Sequence, residues 1–187
     1  MFFRRVTIFF VVTLAAALGV GALPGAALAV TTSITYKVIE WDALVPKEWD
    51  PLKRFRDVNL GAMDDSNPKV LQLMREMRAA WDNAPTVAAL DGERAKIAGY
   101  LVPIEETRNG LKEFLLVPYF GACIHSPPPP ANQIIHVVLA KEIKGFRTMD
   151  IAWVSGTLST RRKNTEMGTS GYRMDAVVIE KYISPKR

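Results

Sequence analysis

The chain has 187 residues, of which 49% are hydrophobic and 23% charged, with a formal net charge of +5. This composition is typical of a globular protein and excludes disorder, a collagen-like repeat and a coiled coil. The single cysteine excludes an internal disulfide, a multi-cysteine zinc finger and an iron–sulfur cluster. A hydrophobic core must therefore stabilise the fold.

The first 29 residues have the organisation of a secretory leader. Arg4 and Arg5 precede an apolar run, and Ala27-Leu28-Ala29 puts small residues where signal peptidase requires them. We expect cleavage after Ala29 and a soluble product in the periplasm or another exported compartment. A retained membrane anchor is the alternative, because the run approaches the length of a bilayer span. The glycines and the proline between residues 19 and 25 argue against an anchor.

Charge indicates little about partners. Cleavage would remove two arginines and no acidic residue, and the remaining positive charge is too small to indicate nucleic-acid binding. The one compact basic run, Arg161–Lys163, is predicted to lie at a hairpin tip, and a contact with a partner or a lipid is the alternative. No other long apolar segment follows the leader, so the processed protein is not expected to be an integral membrane protein.

Residues 30–94 predict an N-terminal extension with one strand and one helix. Apolar and polar residues alternate over Ile34–Glu40, which is typical of a half-buried strand. Ser66-Asn67-Pro68 has the chemistry of a helix start, with a capping side chain followed by proline at the first helical position. The helix is expected to end at Asn83 and Pro85. Residues at helical spacing predict that one of its faces packs on the core: Val70, Met74, Met77 and Trp81.

From residue 95 the pattern changes to short β-rich runs separated by turn residues. Asn109-Gly110 between two apolar runs is a strong hairpin signal. Five strands of similar length with short connections favour a small antiparallel barrel or sandwich in a single domain. The five predicted strands are Lys96–Glu105, Leu111–Tyr119, Gln133–Lys141, Asp150–Ser159 and Tyr172–Tyr182.

The residues with metal-binding or nucleophilic chemistry are concentrated in one segment. Cys123, His125 and His136 are the only cysteine and the only histidines of the chain. In extended backbone Cys123 and His125 would point to the same side, and His136 would return on the neighbouring strand. Pro127–Pro130 forms a stiff connection between them, so a site here would lose little entropy on forming.

One thiolate and two imidazoles form a ligand set that suits zinc, with copper second. Three protein ligands would leave one position for water, substrate or an exogenous ligand. A closed structural site would need a fourth ligand, and only a carboxylate such as Glu105, Glu106 or Glu113 is available nearby. The alternative for each of the three residues is a purely structural role, either packing or a hydrogen bond to the backbone.

Two other functions use the same segment. In a thiol-dependent hydrolase or transferase, Cys123 would be the nucleophile, His125 or His136 its base, and Asn132 or Gln133 an orienting or oxyanion-binding group. In a pure interaction module, the proline segment and the basic run would bind a partner in a membrane complex. The cysteine and histidines would then simply be buried.

The cysteine–tetraproline segment resembles the signature of a bacterial exported family, domain-of-unknown-function family 3299. The resemblance extends to Trp41–Pro46, Gly99–Glu105, Val154–Leu158 and Gly171–Ala176, and so covers nearly the whole processed chain. It implies a small exported protein encoded beside ABC-type transporter operons, some of which respond to zinc. The family supplies no catalytic residues that can be transferred to this chain.

Together these features predict an exported barrel of the oligonucleotide/oligosaccharide-binding (OB) type that binds zinc through Cys123, His125 and His136. We expect it to act as an accessory to an envelope ABC-type transport or metal-homeostasis system, and not as an enzyme.

Overall fold

Five long strands close into a barrel in the computed structural model, which describes residues 34–51, 53, 67–108, 110–124 and 127–183. The predicted leader, its cleavage site and His125 lie outside the described residues. The helix is α1 (Pro68–Asp82), and the strands are β1 (Lys37–Val38), β2 (Arg94–Thr107), β3 (Gly110–Val117), β4 (Ile135–Ile143), β5 (Ile151–Ser159), β6 (Lys163–Thr165), β7 (Gly168–Ser170) and β8 (Tyr172–Lys181).

The barrel closes in the order β2-β3-β4-β8-β5-β2, which is the topology of OB folds. The predicted five-stranded OB-like barrel is confirmed. Four of its pairings are antiparallel, whereas β4 and β8 run parallel. The parallel pairing arises because β8 follows β5 and the β6–β7 hairpin in the chain but inserts between β4 and β5.

The barrel interior is filled by apolar residues that alternate along the strands. Phe114 and Leu116 of β3 face Ile135 and Val137 of β4, and all four are fully buried. Gly156 lies where β5 bulges against β8, and a Cβ there would come within 2.3 Å of the Asp175 carbonyl oxygen. Only glycine therefore allows the two strands to approach closely at this position.

The segment before the helix is held against the barrel by side-chain hydrogen bonds. The predicted strand at 34–40 is reduced to Lys37–Val38, which pairs in parallel with the start of β2. The Trp41 indole donates to the Ala98 carbonyl oxygen at 2.7 Å. The buried Tyr172 hydroxyl accepts from the Val87 amide at 2.6 Å and donates to the Leu44 carbonyl oxygen at 2.8 Å. One hydroxyl thus connects β8 to two separate parts of the N-terminal extension.

We therefore expect Tyr172→Phe to destabilise the fold by about 1–3 kcal/mol, because it leaves the partly buried Val87 amide and the buried Leu44 carbonyl oxygen without their partner. Urea unfolding followed by circular dichroism measures the loss. Tyr119→Phe removes the same atom from an exposed ring and should change stability by less than about 0.5 kcal/mol. Equal effects of the two variants would contradict the bridging role.

Helix α1 begins as the sequence predicts. The Asn67 side chain accepts from the Lys69 amide at 2.9 Å, and Pro68 is the first helical residue. The predicted core face is wrong at one position: Val70 is buried, but Met74 is 46% exposed. Helical spacing identifies a shared side but not its limits, and Met74 lies toward the exposed side that carries Leu71 and Arg75. Among the described residues, no helix combines the length and apolar character that crossing a membrane requires.

The Arg161–Lys163 run is not at a hairpin tip. The tip of the β6–β7 hairpin is formed by Glu166 and Met167, and the basic run leads into β6. Arg162 donates from its guanidinium to the carbonyl oxygens of Asp82 and Ala84 at the end of α1. These carbonyls have no partners within the helix, and a cation is favourable at this pole of the helix dipole. The run therefore attaches the hairpin to the helix.

Candidate functional site at the outer face of β3 and β4

A second apolar cluster covers the outer side of the barrel where β3 ends and β4 begins. We call it the outer cluster, and its buried members are Val102, Leu115, Val117, Ala122 and Ile134. Cys123, Met149 and Met167 pack against it, so the turn after β3 and the tip of the β6–β7 hairpin both reach this face. The predicted site residues that the structure describes lie around this cluster.

Cys123 lies in a tight turn and not in extended backbone. Its φ is +67° and that of Gly121 is +82°, both in the left-handed region. The expectation that Cys123 and His125 alternate along a strand is therefore wrong, because β3 ends at Val117 and the chain turns immediately. The Cys123 side chain is half-buried against the outer cluster. Burial raises the pKa of its thiol to about 11, and the positive charge of Arg78 offsets this only in part.

His136 is buried on β4 and pairs with a carboxylate of β3. Its Nε2 lies 3.0 Å from Oε2 of Glu113, and its strand neighbour on β3 is Leu115, a member of the outer cluster. Burial lowers the pKa of His136, and the charges of Lys163 and Arg173 act in the same direction, outweighing the effect of Glu113. The ring is therefore neutral at neutral pH.

Glu113 remains ionised beside this neutral ring. Burial raises its pKa, but the hydrogen bond from His136 and the charge of Lys163 outweigh burial, and the pKa lies below the ordinary value. The Lys163 ammonium is 3.5 Å from the same carboxylate oxygen. Since a carboxylate only accepts hydrogen bonds, the proton of the neutral imidazole must be on Nε2. The lone pair of His136 is consequently on Nδ1.

The proline segment is fixed between the helix and the hairpin. Arg78 of α1 donates to the Pro128 carbonyl oxygen at 3.2 Å. A Cβ at Gly168 of β7 would come within 2.8 Å of the Pro128 ring, so helix, prolines and hairpin are packed closely. Arg78 also lies near enough to Cys123 to affect its titration. The proline segment between the Cys123 turn and β4 is therefore held in place by contacts with the helix and the hairpin.

The two amides proposed as orienting groups for a thiol enzyme are occupied elsewhere. Asn132 is buried and donates to the Pro85 carbonyl oxygen at 3.0 Å. Gln133 donates to the Trp41 carbonyl oxygen at 2.9 Å. Both side chains attach the N-terminal extension to the barrel. With a thiol pKa of about 11, Cys123 is protonated at neutral pH and unsuited to nucleophilic attack in this state.

The structure describes two of the three predicted ligands. Cys123 and His136 border the same outer cluster, but the charged groups that influence them differ: Arg78 for the thiol, and Glu113, Lys163 and Arg173 for the ring. Within the described ranges, no three His, Cys, Asp or Glu side chains are grouped closely enough to hold a metal ion. His125 and the Glu106 side chain lie outside those ranges.

Among the candidate carboxylates whose side chains the structure describes, Glu113 lies beside a histidine. Its neighbour Lys163 is 50 residues away in sequence. No local pattern indicates that contact, which depends on the hairpin folding back over β3.

Comparison with known proteins supports the resemblance seen in the sequence. Residues 41–181 match the model of a family described as protein of unknown function (DUF3299). The fold is similar to the crystal structure of a DUF3299 family protein from Pseudomonas aeruginosa PAO1. That protein is 35% identical, with a TM-score of 0.62 over 81% of this chain and 99% of the other. No curated protein matches the sequence.

Proposed function

Because the chain belongs to the DUF3299 family, we propose from its own residues that it is an exported zinc-binding protein of the cell envelope. Its ligands are Cys123, His125 and His136, and it serves as an accessory to an ABC-type transport or metal-homeostasis system. The predicted leader would direct it to the periplasm. The proposal depends on the chemistry of the outer face of β3 and β4.

The observation that carries the proposal is the Glu113–His136 pair. Histidines that bind metal commonly donate their other ring N–H to a carboxylate, which fixes the tautomer and makes the ligating nitrogen more basic. Here Glu113 occupies the Nε2 side of a neutral ring, so Nδ1 is the atom of His136 that would bind the metal. Packing alone does not explain why the ionised Glu113 carboxylate is hydrogen-bonded to the buried His136 ring.

The thiol of Cys123 is also a suitable ligand for zinc. A half-buried thiol with a raised pKa is protonated without metal, and zinc binding would release the proton because a coordinated thiol is deprotonated. His125, two residues further along, would be the third protein ligand. A fourth position would remain for water or an exogenous ligand, as in zinc sites that exchange or deliver their metal.

Zinc stoichiometry tests the proposal. We expect native mass spectrometry of the full chain to show one zinc per molecule, and Cys123→Ser and His136→Gln each to lose it. Circular dichroism of each variant verifies that it is folded. Lys181→Gln, an exposed substitution on β8, is the control and should retain the zinc. A chain that binds no zinc, or a folded Cys123→Ser variant that retains it, would overturn the proposal.

Thiol labelling separates the metal site from a thiol enzyme. A zinc-bound Cys123 should react with iodoacetamide faster once a chelator removes the metal. In a thiol enzyme, labelling would be fast already and unaffected by the chelator.

A further inference from the structure

The turn after β3 exposes large apolar side chains at one end of the barrel. Tyr119, Phe120 and Ile124 are all exposed, and Phe120 is 66% exposed. The Phe120 ring contacts the Tyr100 ring edge-on at a centroid distance of 5.9 Å. Exposed apolar side chains that lie together mark interaction surfaces. We call Tyr119–Ile124 the aromatic turn.

One face of helix α1 extends this apolar surface. Arg78 donates to the Pro128 carbonyl oxygen at 3.2 Å, and Pro128 follows the aromatic turn by four residues. Residues three, four and seven positions before Arg78 share its side of the helix. These are Arg75, Met74 and Leu71, and all three are exposed. Two apolar side chains and a cation therefore lie on the helix face that leads away from the aromatic turn.

Exposed arginines lie beside the aromatic turn. The stretch from Phe114 to Lys141 contains no Asp or Glu. The Gly121 amide lies 3.2 Å from the Met149 sulfur, so the β4–β5 connection borders the turn and brings the exposed Arg147 close to it. The same connection carries Asp150, whose carboxylate accepts from the Arg147 amide and lies 3.8 Å from the Lys181 ammonium. Arg75 and Arg147 are therefore the two exposed cations beside the apolar side chains. An anionic surface is thus complementary in charge.

We infer that the aromatic turn and the adjoining face of α1 dock onto the surface of an anionic phospholipid bilayer. The apolar side chains project from a turn and a helix, so they suit a soft, planar surface into which they can insert. Aromatic rings prefer the level of the lipid headgroups, and flanking arginines add attraction to anionic lipids. This inference does not depend on zinc binding.

Vesicle sedimentation tests the inference. Protein expressed as the full chain, with its N terminus verified by mass spectrometry, is mixed with phosphatidylcholine vesicles with and without phosphatidylglycerol. We expect sedimentation with the anionic vesicles, and a loss of about tenfold or more in partitioning for Phe120→Ser, because the variant lacks the ring that would be buried in the bilayer. Val177→Ser is the matched control. Val177 is an apolar residue that is 70% exposed on the far half of β8, and its loss should leave partitioning unchanged.

Charge variants complete the test. Arg75→Gln and Arg147→Gln should each weaken binding to anionic vesicles about fivefold at low salt, and 0.5 M salt should act in the same direction. Vesicle binding should be the same with and without a zinc chelator, which distinguishes failure of this inference from failure of the zinc proposal. Unchanged partitioning of Phe120→Ser, or no sedimentation of the wild type, would overturn the inference. So would self-association that depends on Phe120 in the absence of vesicle binding.

Discussion

Replacing Glu113 with glutamine should weaken zinc binding by about 10- to 100-fold, the usual cost of losing a carboxylate partner of a ligating histidine. Glutamine keeps the size of the side chain, but its neutral oxygen is a weaker acceptor for the Nε2 proton of His136. Its amide can also turn its N–H₂ group toward the ring and favour the wrong tautomer. Competition with a colorimetric zinc chelator measures the affinity.

Glu142→Gln provides the control for this prediction. Glu142 lies on β4, six residues beyond His136, and its substitution removes the same charge without touching the Glu113–His136 pair. We expect an affinity within about twofold of the wild type, since a distant partly exposed charge is screened. If both variants lowered the affinity equally, net charge and not the pair would govern binding.

Phe114→Ala should lower the free energy of unfolding by about 3–5 kcal/mol, the usual range for removing a buried aromatic ring from a core. Phe114 is fully buried on β3, inside the barrel, and directly opposite Val137 of β4. Its loss removes apolar contacts and leaves a cavity in a closed barrel, whose walls cannot collapse without breaking strand pairing. Urea unfolding at equilibrium gives the value.

Phe120→Ala is the matched comparison, since it deletes the same ring six residues later in the chain. Phe120 is exposed and contacts Tyr100 edge-on, an interaction worth at most about 1.5 kcal/mol. Similar losses in the two variants would mean that Phe114 is not a core residue. A large loss in Phe120→Ala alone would contradict the assignment of the aromatic turn as a free surface.

The barrel could be predicted from sequence because its determinants are local. Apolar alternation located the five long strands to within two residues of their observed ends, and the Asn67-Pro68 pair located the helix start. The parallel pairing of β4 with β8 was not predictable in the same way. Once β5 has paired with β2, the free edges of β4 and β5 determine where β8 can pair. This depends on the arrangement of the whole sheet and is not visible in any short stretch of sequence.

The candidate site was less predictable because its residues meet through turns and long-range packing. Gly121 was a visible sign that the chain turns before Cys123, and extended geometry was the wrong expectation there. The contact of Glu113 with His136 follows from strand register, and that with Lys163 from the position of the β6–β7 hairpin. Residue types thus identified the chemistry, and tertiary structure selected the partners.

The insertion of β8 between β4 and β5 also constrains the order of assembly. Until β8 (residues 172–181) pairs, β4 and β5 each keep an unpaired edge, and the barrel cannot close. Unpaired strand edges can pair with the strands of another chain, and pairings between segments far apart in sequence form slowly. Cooperative folding therefore requires the last of the five barrel strands.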